Sequence, residues 1–166
     1  YTFTIESTGG SALVVPGFGF LLNNELTDFN YDSQTHANRV EGGKRPRSSM
    51  SPTIVLDHGK PFLALGSPGG STIITTVLQI LFDRLDEGMT LPAAIADPRA
   101  SQRDTIRTSA EPAFIASPLA TALATRGHQF TDGGEIGAAT GIEFLSDGRV
   151  LAAAEPVGEL LGYHVH

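Results

Sequence analysis

Cysteine is absent from this sequence of 166 residues, and charged residues make up only 17% of it. Without cysteine the chain has no disulfide framework, no thiolate zinc site and no cysteine nucleophile. The charged fraction lies below the roughly 25% of an average soluble domain, whereas hydrophobic residues reach 40%. A disordered tail has the opposite composition, so the sequence predicts a folded domain with a buried core.

The sequence also has few positively charged residues and no long hydrophobic run. Lys and Arg number 11 against 18 Asp and Glu, which gives a formal net charge of −7. Nucleic-acid binders present a basic face to phosphates, so this balance speaks against that class of function. The most apolar stretch, residues 73–85, contains Asp83 and Arg84 and is too short to predict a membrane span.

The first residues alternate between apolar and polar side chains. Residues 2–6 are typical of a strand already under way, and the chain has no initial methionine. A basic segment followed by an apolar one and a cleavage site is not visible, so the sequence predicts no signal peptide within these residues. We expect a further segment upstream of Tyr1.

Two β-hairpins are predicted from turn residues with apolar flanks, at residues 53–65 and 141–154. The second arm of the later hairpin, residues 150–154, is nearly all apolar, which is typical of a strand covered on both faces. Residues 23–50 are polar and lack any period. They predict a long irregular loop, and such loops are usually functional or mobile.

Three helices are predicted between the hairpins. Residues 73–85 have apolar side chains at the 3.6-residue period, Thr90 is an N-cap for a helix to Ala96, and Ser117 is an N-cap for a helix that ends near Gly127. Strands, then helices, then strands again predict an α+β fold with a largely antiparallel sheet.

Residues 66–71, Gly-Ser-Pro-Gly-Gly-Ser, join a predicted buried strand to the strongest predicted helix. Consecutive glycines let the backbone approach a ligand, and the positive end of the helix favours a negative charge there. The segment therefore suits an oxyanion, a carboxylate or a phosphate. A plain strand-to-helix turn that needs glycine only for its dihedral angles is the alternative.

The irregular loop offers two further candidates. Glu25 and Asp28 are three residues apart, so a helical turn would place both carboxylates on one side. Such a pair can bind an ammonium group, bind a metal or share a proton. Ser48 and Ser49 follow three cations and could bind a carboxylate with their hydroxyls. An exposed polar loop without a ligand is the alternative in both cases.

Four ordered motifs support a family resemblance that covers nearly the whole chain. They are residues 2–6, 21–29, 44–53 and 66–71, and the similarity continues through Asp97-Pro98-Arg99 and Ala153-Ala154-Glu155-Pro156. Together they resemble the small subunit of γ-glutamyltransferases, also called γ-glutamyltranspeptidases or glutathione hydrolases. The resemblance implies that residues 1–166 are a small-subunit region with the N-terminal-nucleophile hydrolase fold, a four-layer αββα sandwich of the α+β class.

In that family a precursor cleaves itself, and the new N-terminal threonine of the small subunit attacks a γ-glutamyl amide. The acyl group then passes to water or to an amino acid or peptide. This threonine is expected upstream of the given residues. Thr4 resembles the threonine that hydrogen-bonds to the nucleophile, and Gly69 and Gly70 resemble the oxyanion hole.

The resemblance also implies a binding site for the substrate's amino-acid group. Glu6, Glu25 and Asp28 would accept hydrogen bonds from the α-ammonium group, and Ser48 and Ser49 would donate hydrogen bonds to the α-carboxylate. At position 6 many members have asparagine. No cofactor and no metal is implied.

The expected partners are a large subunit from the same precursor and a small γ-glutamyl substrate, with no nucleic acid. The resemblance implies a periplasmic or secreted location. The first alternative is a related acylase that acts on cephalosporin, glutaryl or poly-γ-glutamate groups. The second, from a different class of function, is a non-catalytic fragment that only binds an amino acid.

Overall fold

A computed structural model of the chain describes residues 10–155, so the strand predicted at residues 2–6 and the candidates Thr4 and Glu6 lie outside the described residues. The chain divides into two compact units, Tyr1–Met50 and Ser51–His166. They are called the N-terminal unit and the C-terminal unit below.

The N-terminal unit is irregular, as its lack of periodicity predicts. Between residues 23 and 50 its regular structure consists of one 3-10 turn, Glu25–Asp28, and an isolated parallel bridge between Asn30 and Arg39. Phe29 follows the turn and is buried. Side-chain hydrogen bonds to the backbone take the place of a ladder, since loop backbone groups need partners too.

The described part of the C-terminal unit contains seven strands and four α-helices. The strands are β1 (Thr53–Asp57), β2 (Lys60–Gly66), β3 (Ala100–Ser101), β4 (Thr108–Ala110), β5 (Phe130–Asp132), β6 (Thr140–Phe144) and β7 (Val150–Ala154). The helices are α1 (Ile73–Leu85), α2 (Leu91–Ala96), α3 (Pro112–Ile115) and α4 (Pro118–Ala124).

Both predicted hairpins and all three predicted helices are confirmed. The hairpins β1–β2 and β6–β7 join into one antiparallel sheet of order β1-β2-β6-β7. Thr90 Oγ1 accepts a hydrogen bond from the Ala93 N–H at the start of α2, and Ser117 Oγ accepts one from the Ala120 N–H at the start of α4. These caps satisfy helix donors that would otherwise lack a partner.

One face of this sheet and one side of α1 and α2 form the core of the C-terminal unit. It is a cluster of buried side chains, and each large member contributes roughly 1.5–3 kcal/mol by leaving water. The members are Leu63, Leu65, Val77, Ile80, Leu91, Ala94, Ile95 and Ala139.

The second sheet, of order β3-β4-β5, was not predicted, and it pairs β4 with β5 in parallel. Its strands have only two or three residues each. A segment that short has no measurable hydrophobic period. Helix α3, with four residues, escaped prediction for the same reason.

The prediction that residues 150–154 are covered on both faces is wrong for the chain by itself. Among the strands of residues 10–155, β7 pairs on one side only, with β6, and the register aligns Ile54, Ala64, Ile142 and Ala152 in a row across all four strands. Because side chains alternate along a strand, this row lies on the face opposite the core. Ile54 is 69% exposed and Ile142 is 42% exposed, so an apolar sheet face is open to solvent.

A partly buried ion pair joins α1 to β6. Arg84 donates from Nε and Nη2 to the two oxygens of Glu143 at 3.0 and 2.5 Å, and its guanidinium lies 5.1 Å from the centre of the Phe62 ring. Two parallel bonds of this kind fix orientation as well as distance.

Another buried charge, Asp83 on α1, has an incomplete set of partners. It is 8% exposed, and its Oδ2 has no hydrogen-bond partner within residues 10–155. Burial raises the pKa of this carboxyl above its usual range, and the negative charge of Asp97 adds to the rise. The folded chain therefore binds this proton more tightly than the unfolded chain.

A raised pKa gives a definite sign to the pH dependence. The stabilisation is complete below the ordinary aspartate pKa and is lost as the pH rises through the higher pKa of the folded state. We expect Asp83→Asn to raise the thermal unfolding midpoint at neutral pH and to flatten its decline from mildly acidic to neutral pH. Asp86→Asn, at the exposed end of the same helix, is the control, and equal shifts in both variants would refute the assignment.

Candidate active site

The two glycines of the candidate oxyanion site lie between β2 and α1. We call residues 67–70 the glycine turn; a 3-10 turn, Gly70–Thr72, then leads directly into α1. Gly69 has φ +136°, and a Cβ at this position would lie 2.8 Å from Thr72 Oγ1. Its carbonyl accepts hydrogen bonds from the N–H and the hydroxyl of Thr72, at 3.1 and 2.9 Å. The turn therefore requires glycine for both conformation and space.

The amides of Gly69 and Gly70 are available to a ligand. Both residues are exposed, and neither N–H donates a hydrogen bond to an acceptor within residues 10–155. The helical turns that follow continue to Leu85, and their aligned peptide dipoles favour a negative charge near the first residues. Two free donors at such a helix start can stabilise an oxyanion.

A segment far along the chain packs against the glycine turn, and we call residues 136–139 the support segment. The N–H of Ala138 donates to Ser67 Oγ at 3.2 Å, and the Ser67 hydroxyl donates to the Pro68 carbonyl at 2.6 Å. Gly137 has φ +82°, and a Cβ there would lie 2.8 Å from Ser67 Oγ. The two segments are thus in direct contact.

Three charged side chains, missed as site residues in the sequence, surround the support segment. They form the arginine cluster: Arg99, which is 1% exposed, with Glu111 and Glu155. Arg99 Nη1 lies 2.6 Å from Glu155 Oε1 and 3.7 Å from Glu111 Oε1. Arg99 and Glu155 belong to motifs of the family resemblance, but Glu111 has no signal in the sequence that could have found it.

In the N-terminal unit, Glu25–Asp28 forms a 3-10 turn, which is the condition under which the spacing places both carboxylates on one side; we call it the acidic turn. At the start of the acidic turn, Asn23 Oδ1 accepts a hydrogen bond from the Glu25 N–H at 3.1 Å. Residues three apart in a 3-10 turn lie one above the other, so both carboxylates are on one side. Both residues are half-buried.

We call residues 47–49 the serine segment. This segment is linked to the acidic turn through Asn38. Asn38 Nδ2 donates to the Asp28 carbonyl at 2.6 Å, and Asn38 Oδ1 accepts from the Arg47 N–H at 2.9 Å. Arg47 immediately precedes Ser48, which is exposed, and Ser49, which is half-buried. Asparagine is common in loops, so sequence reasoning had no ground to single out Asn38.

Residues 10–155 contain no group of three or more His, Asp or Glu side chains arranged to hold a metal ion. None of the helices in this part of the chain has the length and apolarity needed to cross a membrane.

The fold matches solved structures over nearly its full length. One is an acivicin-inhibited gamma-glutamyltranspeptidase, with a TM-score of 0.82, 36% identity, and coverage of 96% of this chain and 92% of that chain. The Helicobacter pylori gamma-glutamyltranspeptidase T380A mutant has a TM-score of 0.80 and 36% identity over 94% and 91% of the two chains. The predicted class is confirmed: the chain has the α+β fold of an N-terminal-nucleophile hydrolase.

The sequence comparisons identify the family within that class. The profile of gamma-glutamyltranspeptidases matches residues 1–161. The Escherichia coli glutathione hydrolase proenzyme is 36% identical over 167 residues, which cover 93% of this chain and 28% of that protein. The chain belongs to the gamma-glutamyltranspeptidase family, and it spans little more than a quarter of the length of this relative.

Proposed function

We propose that the chain is the small-subunit region of an enzyme that hydrolyses and transfers γ-glutamyl groups from glutathione and related amides. The observation that carries this proposal is the pair of exposed, unbonded amides of Gly69 and Gly70 at the start of a helix, in a chain of this family. Paired amides suit a reaction that develops negative charge on a carbonyl oxygen.

The reaction has two steps. The threonine hydroxyl, which the proposal places upstream of the given residues, attacks the γ-carbonyl carbon; a C–O bond forms, the C–N bond breaks, and the hydroxyl proton leaves on the amine. Water or an amine then attacks the ester carbonyl carbon; its new bond to that carbon replaces the ester C–O bond, and its proton passes to the threonine oxygen and restores the hydroxyl. Each glycine amide would contribute on the order of 3 kcal/mol to stabilising the tetrahedral oxyanion. Thr4 is proposed to hydrogen-bond to the nucleophile and help activate it.

The N-terminal unit is proposed to bind the amino-acid end of the substrate. Glu25 and Asp28, on one side of the acidic turn, would accept hydrogen bonds from the α-ammonium group, together with Glu6. Ser48 and Ser49 would donate to the α-carboxylate. The Asn38 link supports this assignment, because it joins the backbones of the two groups of residues.

A large subunit from the same precursor is the proposed partner. The open apolar face of the four-stranded sheet supports this, because solvent-exposed apolar patches mark interaction surfaces. In a four-layer αββα sandwich such a face packs against a second sheet. A periplasmic or secreted location is proposed from the family resemblance.

The function is tested on the full-length protein with γ-glutamyl and glutaryl anilides side by side. We expect turnover of the γ-glutamyl anilide, and faster turnover when an amino-acid acceptor is added. Turnover of the glutaryl anilide alone would indicate the related acylase. Calorimetric binding of glutamate without turnover would indicate the non-catalytic fragment. The absence of both turnover and binding would refute the proposal.

Asp28→Ala tests the substrate-binding role. We expect the KM for a γ-glutamyl substrate to rise about 10- to 100-fold with a smaller change in kcat, since a hydrogen bond to a charged group contributes roughly 1.5–3 kcal/mol. Asp32→Ala is the control because it removes an exposed acid four residues further along the same unit. An unchanged KM in Asp28→Ala would remove this residue from the binding site.

A further inference from the structure

We propose that the arginine cluster is a positioning device for the oxyanion site: Arg99, Glu111 and Glu155 fix the support segment, and the support segment fixes the glycine turn. The inference rests on the proposed function, because it takes Gly69 and Gly70 as the oxyanion donors. None of the three charged residues needs to touch the substrate.

The cluster anchors both ends of the support segment. At the first end, the Ile136 carbonyl accepts from Arg99 Nη1 at 2.8 Å and the Ile136 N–H donates to Glu111 Oε1 at 2.9 Å. At the other end, the Ala139 N–H donates to Glu155 Oε2 at 3.0 Å, and the Ala139 carbonyl accepts from the Glu155 N–H at 2.9 Å. Four hydrogen bonds hold a segment that precedes strand β6.

The cluster is itself held in one arrangement. Glu111 Oε2 accepts from the backbone N–H of Arg99 at 2.9 Å, and Arg99 Nη2 donates to the Ile95 carbonyl at the end of α2. A fully buried guanidinium keeps its charge only when such partners surround it. Nη1 and Nη2 of Arg99 have these partners, whereas the buried Nε has none within residues 10–155. The position of the support segment is therefore coupled to the core helix α2 and to the residue that follows β7.

Contact with the glycine turn leaves little freedom between the two segments. Ala138 donates to Ser67 Oγ, and a Cβ built on Gly69 would come within 3.4 Å of the Gly137 Cα. Oxyanion donors must lie about 2.7–3.1 Å from the developing charge. A displacement of about 1 Å is enough to cost 100-fold in rate.

Glu111→Gln in the full-length protein tests the inference. It keeps the shape of the side chain but leaves the N–H of either Arg99 or Ile136 without an acceptor. We expect kcat for the γ-glutamyl anilide to fall about 10- to 100-fold with KM changed less than about twofold, because oxyanion contacts form mainly in the transition state. Hydrogen exchange of the hydrogen-bonded support-segment amides, those of Ile136, Ala138 and Ala139, should become faster.

The matched control is Glu143→Gln, which weakens another pair between a buried carboxylate and an arginine, here the half-buried Arg84. We expect it to lower stability but to leave kcat and the exchange of the support-segment amides unchanged. Equal losses of kcat in both variants, or a raised KM with an unchanged kcat in Glu111→Gln, would overturn the positioning role.

A second variant decides the question if Glu111→Gln does not fold. Ser67→Ala removes the acceptor of the Ala138 N–H together with the donor to the Pro68 carbonyl, and leaves the arginine cluster intact. We expect a severalfold loss of kcat at constant KM; no change would overturn the coupling. Failure of the wild-type protein to turn over γ-glutamyl anilide is a different result. It refutes the proposed function itself.

Discussion

Gly69→Ala is expected to lower kcat for γ-glutamyl substrates by about 100- to 1,000-fold, the effect of losing an oxyanion donor. Two features of the residue cause this. Its φ of +136° is rarely adopted by a residue with a side chain, and the new Cβ would lie 2.8 Å from Thr72 Oγ1. The backbone must then rotate, and rotation turns the Gly69 or Gly70 N–H away from the oxyanion.

Gly59→Ala is the matched control for backbone strain. Gly59 has φ +78° in the turn between β1 and β2, and a Cβ there would meet no atom within 4 Å. We expect a modest loss of stability and wild-type kcat. Steady-state kinetics of both variants in the full-length protein provide the comparison, and a Gly69→Ala enzyme with normal kcat would contradict the oxyanion assignment.

Arg99→Ala is expected to cost about 3–5 kcal/mol of folding stability, the usual penalty for removing one partner of a buried ion pair. The substitution leaves Glu111 and Glu155 facing each other without the cation that both contact. It also removes the donors to the Ile95 and Ile136 carbonyls. Denaturant unfolding of the full-length protein measures the loss, as the change in the free energy of the transition in which the C-terminal unit unfolds.

Arg149→Ala is the comparison for that experiment. Arg149 pairs with Asp147 at 2.7 Å, but its side chain is 77% exposed, and exposed pairs contribute about 0–1 kcal/mol. A small effect at Arg149 beside a large one at Arg99 would follow from the difference in burial. Similar effects at the two sites would contradict the structural role of the arginine cluster.

Local signals predicted the elements that are long enough to contain them. Helix α1 has an apolar period over 13 residues, α2 and α4 have threonine and serine caps, and both long hairpins have turn residues between apolar arms. The strand-to-helix turn at Gly69 was predicted in the same way. Each of these features depends on residues within a few positions of one another.

The residues of the candidate site also fall into two groups, those that local spacing could predict and those that it could not. The chemistry of residues 66–71 and the single-sided pair Glu25 and Asp28 could be derived from spacing, and the family resemblance supplied their proposed roles. Asn38, Glu111 and the support segment could not be found. Their importance lies in partners that are distant along the chain, such as Ser67 and Ala138.

The sequence by itself determined the α+β class and the local conformation of the glycine turn, because periodicity, capping and glycine requirements act over short distances. The family followed from the resemblance of its ordered motifs to those of known members. Only the tertiary structure decided the sheet order, the open face of β7 and the partners of Arg99. A buried charge must be neutralised by whatever groups the fold brings to it, and here they come from residues 95, 111, 136 and 155. No local pattern encodes that set of partners.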